Sequence, residues 1–283
     1  MKILRKTLAT ITCLAFLSLA GCKKTTEVVN PNPTSTSDTP VAVTSASATT
    51  AKIGTEITLT GSGFVAGVTT VKFGTVVATE VTIASSTTLK VKVPAGTFRS
   101  KISVNNGTQT SQLPTNFFTS NYMLNGIDIN LIYSGEKVFF GKNYPGPTDA
   151  TFLMVIPGSM PPVFVQQPIS MPDKYFTWTE AETACPAGWR LPSKVEYETL
   201  AGLPTATTQQ GYATLKNGEM AMTVTGYLNT TLGIQIFDRG ALGNYWVNSS
   251  NTYFQLNATG NGYVQTLTNG SGYKMCLRCV KDL

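Results

Sequence analysis

Short runs of alternating polarity dominate residues 41–118 and restrict the folds that this part of the chain can adopt. In residues 56–60 and 89–93, apolar side chains alternate with Thr, Glu or Lys. Such period-two alternation is typical of strands that bury one face. Residues 105–107 (NNG) follow another alternating run and predict a hairpin turn. Several short strands at this spacing predict an all-β sandwich.

The same region resembles the IPT/TIG family of immunoglobulin-like domains. The resemblance lies in the order and spacing of residues 54–64 (GTEITLTGSGF), 71–74 (VKFG), 89–94 (LKVKVP) and 104–107 (VNNG). It implies an IPT/TIG domain over residues 41–118, with glycines that serve turns. Because such domains in bacterial envelope proteins are spacers or interaction modules, we expect a spacer or scaffold role here; the alternative is a binding site of its own.

Residues 1–21 have the composition of a secretion signal peptide. A basic start precedes an apolar run, residues 8–20, which is shorter than the ~20 residues of a membrane-spanning helix. The end of the signal, Leu19-Ala20-Gly21-Cys22, resembles the lipobox of bacterial lipoproteins. This resemblance implies cleavage before Cys22 and acylation of that cysteine, for example by palmitate, which would anchor the protein to a membrane. The alternative is a soluble secreted protein that is cut elsewhere.

Residues 22–40 contain few large side chains and cannot bury enough apolar surface to order themselves. We interpret them as a lipidated flexible tether. In lipoproteins of this kind, an aspartate directly after the acylated cysteine favours retention at the inner membrane. Here Lys23 and Lys24 follow the cysteine instead. The predicted location is therefore the outer membrane of the cell envelope, and the side on which the protein lies is left open.

Residues 119–283 predict an α+β fold. Thr177 with Glu180, and Ser193 with Glu196, have the spacing of capping boxes and predict two short helices, one ending near Ala184 and the other near Gly202. Alternating residues 252–256 and 263–267 predict strands joined by a turn at 260–262.

This region resembles the Fibrobacter succinogenes major paralogous domain family, whose members have a C-type-lectin-like fold. The resemblance is carried by residues 176–181 (FTWTEA), 184–193 (ACPAGWRLPS), 244–250 (NYWVNSS) and 277–282 (LRCVKD). Residues 138–143 look like a divergent form of the family's opening strand, with Phe139 in place of the usual tryptophan and Lys142 in place of an acid.

The cysteines of residues 119–283 are Cys185, Cys276 and Cys279. The family resemblance implies a disulfide between Cys185 and Cys279, which leaves Cys276 unpaired. Cys276 and Cys279 also have CxxC spacing, but a redox CxxC normally lies at a helix N-terminus and a zinc site needs further ligands. The chain contains no histidine, so we expect neither.

Composition excludes several function classes. Three of the 21 Lys and Arg residues lie in the signal, which leaves 18 against 15 Asp and Glu, too small an excess to predict a nucleic-acid partner. Without histidine there is no Ser-His-Asp or Cys-His arrangement. The pairs Glu180/Glu182 and Glu196/Glu198 have i, i+2 spacing and should point to different helix faces. We therefore expect no enzyme, no cofactor and no metal, including the calcium of sugar-binding C-type lectins.

A candidate ligand surface remains in the loops between residues 203 and 251. Aromatic side chains beside amides suit sugar stacking or protein binding, and the candidates are Tyr212, Tyr227, Tyr245, Trp246 and Asn248. Large aromatics are also common in small cores, so burial is the alternative for each of them. We predict a non-enzymatic envelope lipoprotein that presents a lectin-like module to a glycan or an envelope protein. The alternative is a structural or adhesion component in which both domains serve assembly.

Overall fold

The structure, a computed structural model, describes residues 39–155, 164–203, 205–231, 235–258 and 263–283. The predicted signal peptide, Cys22 and the tether up to residue 38 lie outside the described residues, as does the turn predicted at 260–262. Within the described part of the chain, no helix has the length and apolar character needed to cross a bilayer.

The fold is mostly β, and residues 42–119 form an immunoglobulin-like sandwich, which we call the sandwich. Its strands are β1 (Ala42–Ala46), β2 (Thr50–Ala51), β3 (Glu56–Ser62), β4 (Thr70–Phe73), β5 (Val76–Val77), β6 (Val81–Ser85), β7 (Thr88–Lys92), β8 (Arg99–Asn105) and β9 (Thr110–Thr119). They form sheets of order β1-β3-β7-β6 and β2-β9-β8-β4-β5.

Alternation along the strands builds the core of the sandwich. Ile57 pairs with Val91 and Leu59 with Leu89 across β3 and β7, and all four side chains are buried. Phe73 of β4 meets Phe117 of β9, a strand of the same sheet, edge to face with ring centroids 5.1 Å apart. The predicted hairpin is confirmed, since β8 ends at Asn105 and pairs with β9.

The rest of the described chain, residues 120–283, is here called the C-terminal region. Its helices are α1 (Trp178–Ala181), α2 (Lys194–Leu200) and α3 (Thr208–Asn217). Its strands are β10 (Asn121–Leu124), β11 (Ile127–Ser134), β12 (Lys137–Phe140), β13 (Pro145–Val155), β14 (Phe164–Asp173), β15 (Tyr227–Asn229), β16 (Gln235–Phe237), β17 (Leu242–Trp246), β18 (Tyr253–Asn257), β19 (Tyr263–Leu267), β20 (Tyr273–Lys274) and β21 (Val280–Asp282).

The strands of the C-terminal region form sheets of order β10-β11-β12-β21, β14-β13-β16-β15-β20 and β17-β18-β19. The last strand, β21, pairs with β12 near the start of the region. This pairing brings the end of the chain back to its opening strands, next to the disulfide described below.

Both predicted capping boxes are confirmed at the N-termini of α1 and α2. The helices end earlier than predicted, at Ala181 and Leu200. The helix α3 was not predicted, although it starts with a third capping box, Thr207 with Gln210. Gly211 weakens its helical signal, yet packing needs a small residue there. A Cβ at Gly211 would lie 3.2 Å from the Cβ of Ala201, at the end of α2.

The sandwich packs directly against the C-terminal region. Phe98 meets Trp189 edge to face at 5.6 Å between ring centroids, and the Tyr133 hydroxyl donates to the carbonyl oxygen of Thr119 at 2.6 Å. Arg99 also forms an ion pair with Glu136. Residues 36–283 consequently form one compact unit.

Candidate functional site

Tyr245 and Trp246, two of the residues predicted for a ligand surface, are completely buried. They are neighbours on β17 and therefore point to opposite faces of the strand, and both faces are covered. The Trp246 indole Nε1 donates to the carbonyl oxygen of Phe176 at 2.7 Å, and the Tyr245 hydroxyl donates to that of Thr223 at 2.7 Å. The prediction that they contact a ligand is wrong, because their polar atoms are used inside the fold.

Tyr212 and Asn248 lie in separate places. Tyr212 is half-buried on α3, with the Lys216 ammonium 5.3 Å from its ring centroid. Asn248 is exposed just after β17, and its backbone N–H donates to the carbonyl oxygen of Pro192 at 2.9 Å.

Tyr227 is half-buried and belongs to a group of aromatic side chains at element ends, here called the aromatic cluster. Each member is partly exposed, and the cluster consists of Trp178, Tyr227, Phe237, Tyr253 and Tyr273. Trp178 is the first residue of α1, Phe237 is the last of β16, and the tyrosines are the first residues of β15, β18 and β20. Five separate elements therefore bring their ends to one surface.

Strand register explains why these rings converge. Tyr227 pairs with Phe237, and their rings stack at 5.6 Å and 17°. Tyr273 pairs with Asn229, two residues beyond Tyr227, so the two tyrosines lie on the same sheet face. Their rings meet edge to face at 5.0 Å. Cross-strand aromatic neighbours of this kind stabilise the sheet and form a continuous apolar surface.

Trp246 is the buried base of the cluster. Its ring centroid lies 5.6 Å from that of Trp178 and 6.4 Å from that of Tyr253. On another side it is covered by Gly270, where an added Cβ would lie 2.5 Å from the indole ring. Trp246 thus supports the exposed aromatics without being exposed itself.

Charged and polar groups surround the cluster. Partial burial raises the pKa of Tyr227, and the nearby Asp238 carboxylate raises it further. Burial likewise raises the pKa of Tyr253, with a smaller effect from Tyr273. On the side of α1, Lys274 lies 3.5 Å from Glu180. The surface therefore combines ring faces with neutral phenol hydroxyls and charged side chains.

Sequence reasoning found only Tyr227 of this cluster and missed Trp178, Phe237, Tyr253 and Tyr273. For Tyr253 a signal existed, since alternation in residues 252–256 places Phe254 and Leu256 on the inner face. Phe237 and Tyr273 lie in strands of only two or three residues, which are too short for a period to be read.

The disulfide between Cys185 and Cys279 is confirmed. Cys276 is free and buried, and burial raises the pKa of its thiol. It is therefore a core thiol and not the thiolate that redox chemistry requires.

The carboxylates of Glu196 and Glu198, one of the pairs considered in the sequence, are already engaged. Burial alone would raise the pKa of Glu196, but hydrogen bonds from Arg190, the Ser193 N–H and Lys137 lower it to about 2. Arg190 contacts both Glu196 oxygens, at 2.7 and 2.8 Å. Glu198 pairs with Lys194 at 3.6 Å. In the described ranges no three Cys, Asp or Glu side chains are grouped closely enough to hold a metal ion.

Comparison with known proteins identifies one domain family. Residues 40–119 match the IPT/TIG domain, so the family predicted for the sandwich is confirmed. No curated protein matches the chain.

Several solved structures share weak similarity with the chain. One is a Bacteroides thetaiotaomicron protein with a provisional phosphatase designation (24% identity, TM-score 0.28, covering 30% of this chain and 19% of that one). Another is an auxiliary nutrient binding protein of the same organism (18% identity, TM-score 0.27, covering 43% of this chain and 32% of that one). A third is SGBP-B from a complex xyloglucan utilization locus in Bacteroides uniformis (12% identity, TM-score 0.26, covering 86% of this chain and 60% of that one). This chain spans less than two thirds of each of them, and such TM-scores support no conclusion about function.

Proposed function

We propose that this chain, whose residues 40–119 are an IPT/TIG domain, is a non-enzymatic envelope lipoprotein that binds glycans through the aromatic cluster. In this proposal Cys22 carries the lipid, residues 23–40 are the tether, and the sandwich is a spacer. The C-terminal region is a lectin-like module of the Fibrobacter succinogenes major paralogous domain type. The outer membrane is the proposed location.

The observation that carries the proposal is the convergence of Trp178, Tyr227, Phe237, Tyr253 and Tyr273 on one partly exposed surface. Adjacent aromatics that are each partly exposed form an apolar surface patch, and contiguous apolar patches mark binding sites. Tyrosine and tryptophan rings provide flat apolar faces at low entropic cost and carry polar atoms at one edge. A sugar ring also has an apolar C–H face and polar edges, so the two surfaces are complementary.

The charged neighbours suit a hydroxyl-rich ligand. Asp238 and Glu180 can accept hydrogen bonds from sugar hydroxyls, and Lys274 can donate to them. Hydrogen bonds to charged groups are stronger than neutral ones. Together they would fix the orientation of a sugar that the rings hold by its face.

The second candidate is protein binding at the same surface, because aromatic residues are also enriched at protein interfaces. A glycan array with residues 36–283, which form one compact unit, separates the two. Glycan binding that is lost in Tyr227→Ala and kept in Tyr212→Ala supports the proposal. Tyr212 is a suitable control because it is a half-buried tyrosine outside the cluster. A blank array combined with capture of envelope proteins by the same surface would replace the glycan by a protein ligand.

A further inference from the structure

A cleft of about 370 Å³ lies in the C-terminal region and shares no residue with the aromatic cluster. The polar side chains that line it include those of Asn130, Lys142, Asn143, Asp173, Glu219 and Arg278. Its volume is within the range of about 300–1,000 Å³ of small-molecule sites. Apart from Gly141 and Ala221, every lining side chain is polar or charged.

Arg278 lies in the wall of this cleft and is 1% exposed. Its Nε donates to Asn143 Oδ1 at 3.0 Å, and its terminal nitrogens donate to the carbonyl oxygens of Met220 and Ala221. The Tyr245 ring lies beside the guanidinium, 5.9 Å from centroid to Cζ. In the described part of the chain no carboxylate forms an ion pair with Arg278.

A buried guanidinium whose direct hydrogen-bond acceptors are all neutral oxygens is unusual. Removing a charge from water is costly, so buried charges are normally paired with an opposite charge. The three oxygens around Arg278 supply dipoles but no negative charge, and Arg278 retains donor capacity because a guanidinium has five N–H groups. This part of the cleft is therefore complementary to an anion.

Two features of the cleft wall carry a local energetic cost. Ala221, whose carbonyl faces Arg278, has φ 42°, the left-handed region that a side chain disfavours. Asn130 has an enclosed Oδ1 with no hydrogen-bond partner among the described residues. Its amide lies over Gly141, where an added Cβ would be 2.0 Å from Nδ2. Strain and unsatisfied polar atoms of this kind are concentrated at binding sites.

The rim of the cleft narrows the ligand class. Lys142 is exposed and adds a second positive charge, while Asp173 and Glu219 add two negative charges. These carboxylates would repel a second anionic group and would accept hydrogen bonds from hydroxyl or ammonium groups. The complementary ligand has one carboxylate and several hydrogen-bond donors.

We infer that the Arg278 cleft is a second binding site, which takes a small organic monocarboxylate rich in hydrogen-bond donors, an acidic sugar such as a uronic acid. Its carboxylate lies against Arg278 and Lys142, and its hydroxyls contact Asn130, Asp173 and Glu219. A free amino acid also has one carboxylate, with an ammonium group as hydrogen-bond donor, and titration with glycine separates amino acids from acidic sugars. The inference is independent of the glycan proposal, since the two sites share no residue.

Calorimetric titration of residues 36–283 with D-glucuronate, D-glucose, glycine and D-glucarate tests this inference. Glucose lacks the carboxylate of glucuronate, and glucarate has a second one. We expect glucuronate to bind, and glucose and glucarate to bind at least about tenfold more weakly, because a buried charge pair or like-charge contact is worth more than 1.4 kcal/mol. Binding of glycine without glucuronate would assign the site to amino acids.

Two variants connect binding to the cleft. Arg278→Lys keeps the charge but removes the planar donor geometry, and we expect at least about thirtyfold weaker binding. Since Arg278 is buried and its variant can fail to fold, Lys142→Ala on the exposed rim provides the second test. It should weaken binding about three- to tenfold, whereas Lys72→Ala, at an exposed lysine on the sandwich, should not change it. Any one of three results would overturn the inference. The first is equal binding of glucose and glucuronate, and the second is no binding of either glucuronate or glycine. The third is equal affinity of Lys142→Ala and Lys72→Ala.

Discussion

The ring of Tyr227 lies edge to face against the ring of Tyr273, with centroids 5.0 Å apart, and both side chains remain partly exposed. The two residues are 46 positions apart in the chain and meet because β15 and β20 pair in the same sheet. The two rings cover each other only in part, so apolar surface of both remains in contact with water. On the proposed function, that surface is covered when a ligand binds.

The first prediction tests the assignment of Trp246 to the core. Trp246→Ala removes a completely buried side chain and the hydrogen bond from its Nε1 to Phe176, so we expect a loss of about 3–5 kcal/mol in the free energy of unfolding. Tyr227→Ala removes a half-exposed ring and should cost about 1 kcal/mol. Urea denaturation of residues 36–283 measures both. A Trp246→Ala protein with unchanged stability would place this side chain on the surface.

A second prediction concerns the disulfide. Cys185 and Cys279 are 94 residues apart, so removing the bridge by the double change Cys185→Ala/Cys279→Ala enlarges the entropy of the unfolded chain. We expect a loss of about 2–5 kcal/mol. The control is Cys276→Ala, which removes a free buried thiol and should cost about 1–2 kcal/mol. Equal unfolding midpoints for the bridged and unbridged proteins would contradict a stabilising role.

Acid stability provides the third prediction. The pKa of Glu196 is about 2 in the folded protein, below its ordinary value of 4.5. A lowered folded-state pKa contributes stability that is fully present above about pH 4.5 and is lost as the pH falls towards 2. The wild type should therefore lose more unfolding free energy between pH 5 and pH 2.5 than Glu196→Gln, which has no carboxylate to protonate. Parallel pH profiles of the two proteins, measured by urea denaturation, would exclude this contribution.

The contact between the sandwich and the C-terminal region leads to a fourth prediction. Phe98→Ala removes the contact with Trp189, so the two parts should become less coupled. We expect the wild type to unfold in one calorimetric transition and the variant to unfold in two, with a loss of about 2–4 kcal/mol. Val77→Ala, an exposed position in the sandwich, serves as the control. One unchanged transition in Phe98→Ala would show that this contact does not couple them.

The capping boxes of α1 and α2 were read correctly from the sequence, while the burial of Trp246, which depends on distant partners, was not. The capping boxes at Thr177 and Ser193 involve residues three positions apart, and both form as predicted. The burial of Trp246 depends on Phe176 and Trp178, about seventy residues earlier in the chain. No periodicity within residues 242–246 reveals that β17 is covered on both faces.

The disulfide and the sandwich could be predicted for a different reason. The disulfide followed from resemblance to a domain family, whose pattern extends over a long stretch of chain, and the sandwich followed from strand alternation together with such a resemblance. The aromatic cluster has no such pattern, because its members come from five elements and share only their positions at element ends. The Arg278 cleft was missed in the same way, since Asn130, Asn143 and Arg278 are brought together only by folding.

The most direct measurement is the dissociation constant of a glycan selected on the array, compared between wild type, Tyr227→Phe, Tyr227→Ala and the double variant Tyr227→Ala/Tyr273→Ala. Phenylalanine keeps the ring face, so Tyr227→Phe should bind within about threefold of wild type, because a single exposed hydrogen bond contributes little. Each alanine should weaken binding about tenfold or more, since a stacking ring contributes about 1.4 kcal/mol or more at a binding surface. Equal affinity of all four proteins for the glycan would contradict binding at the aromatic cluster.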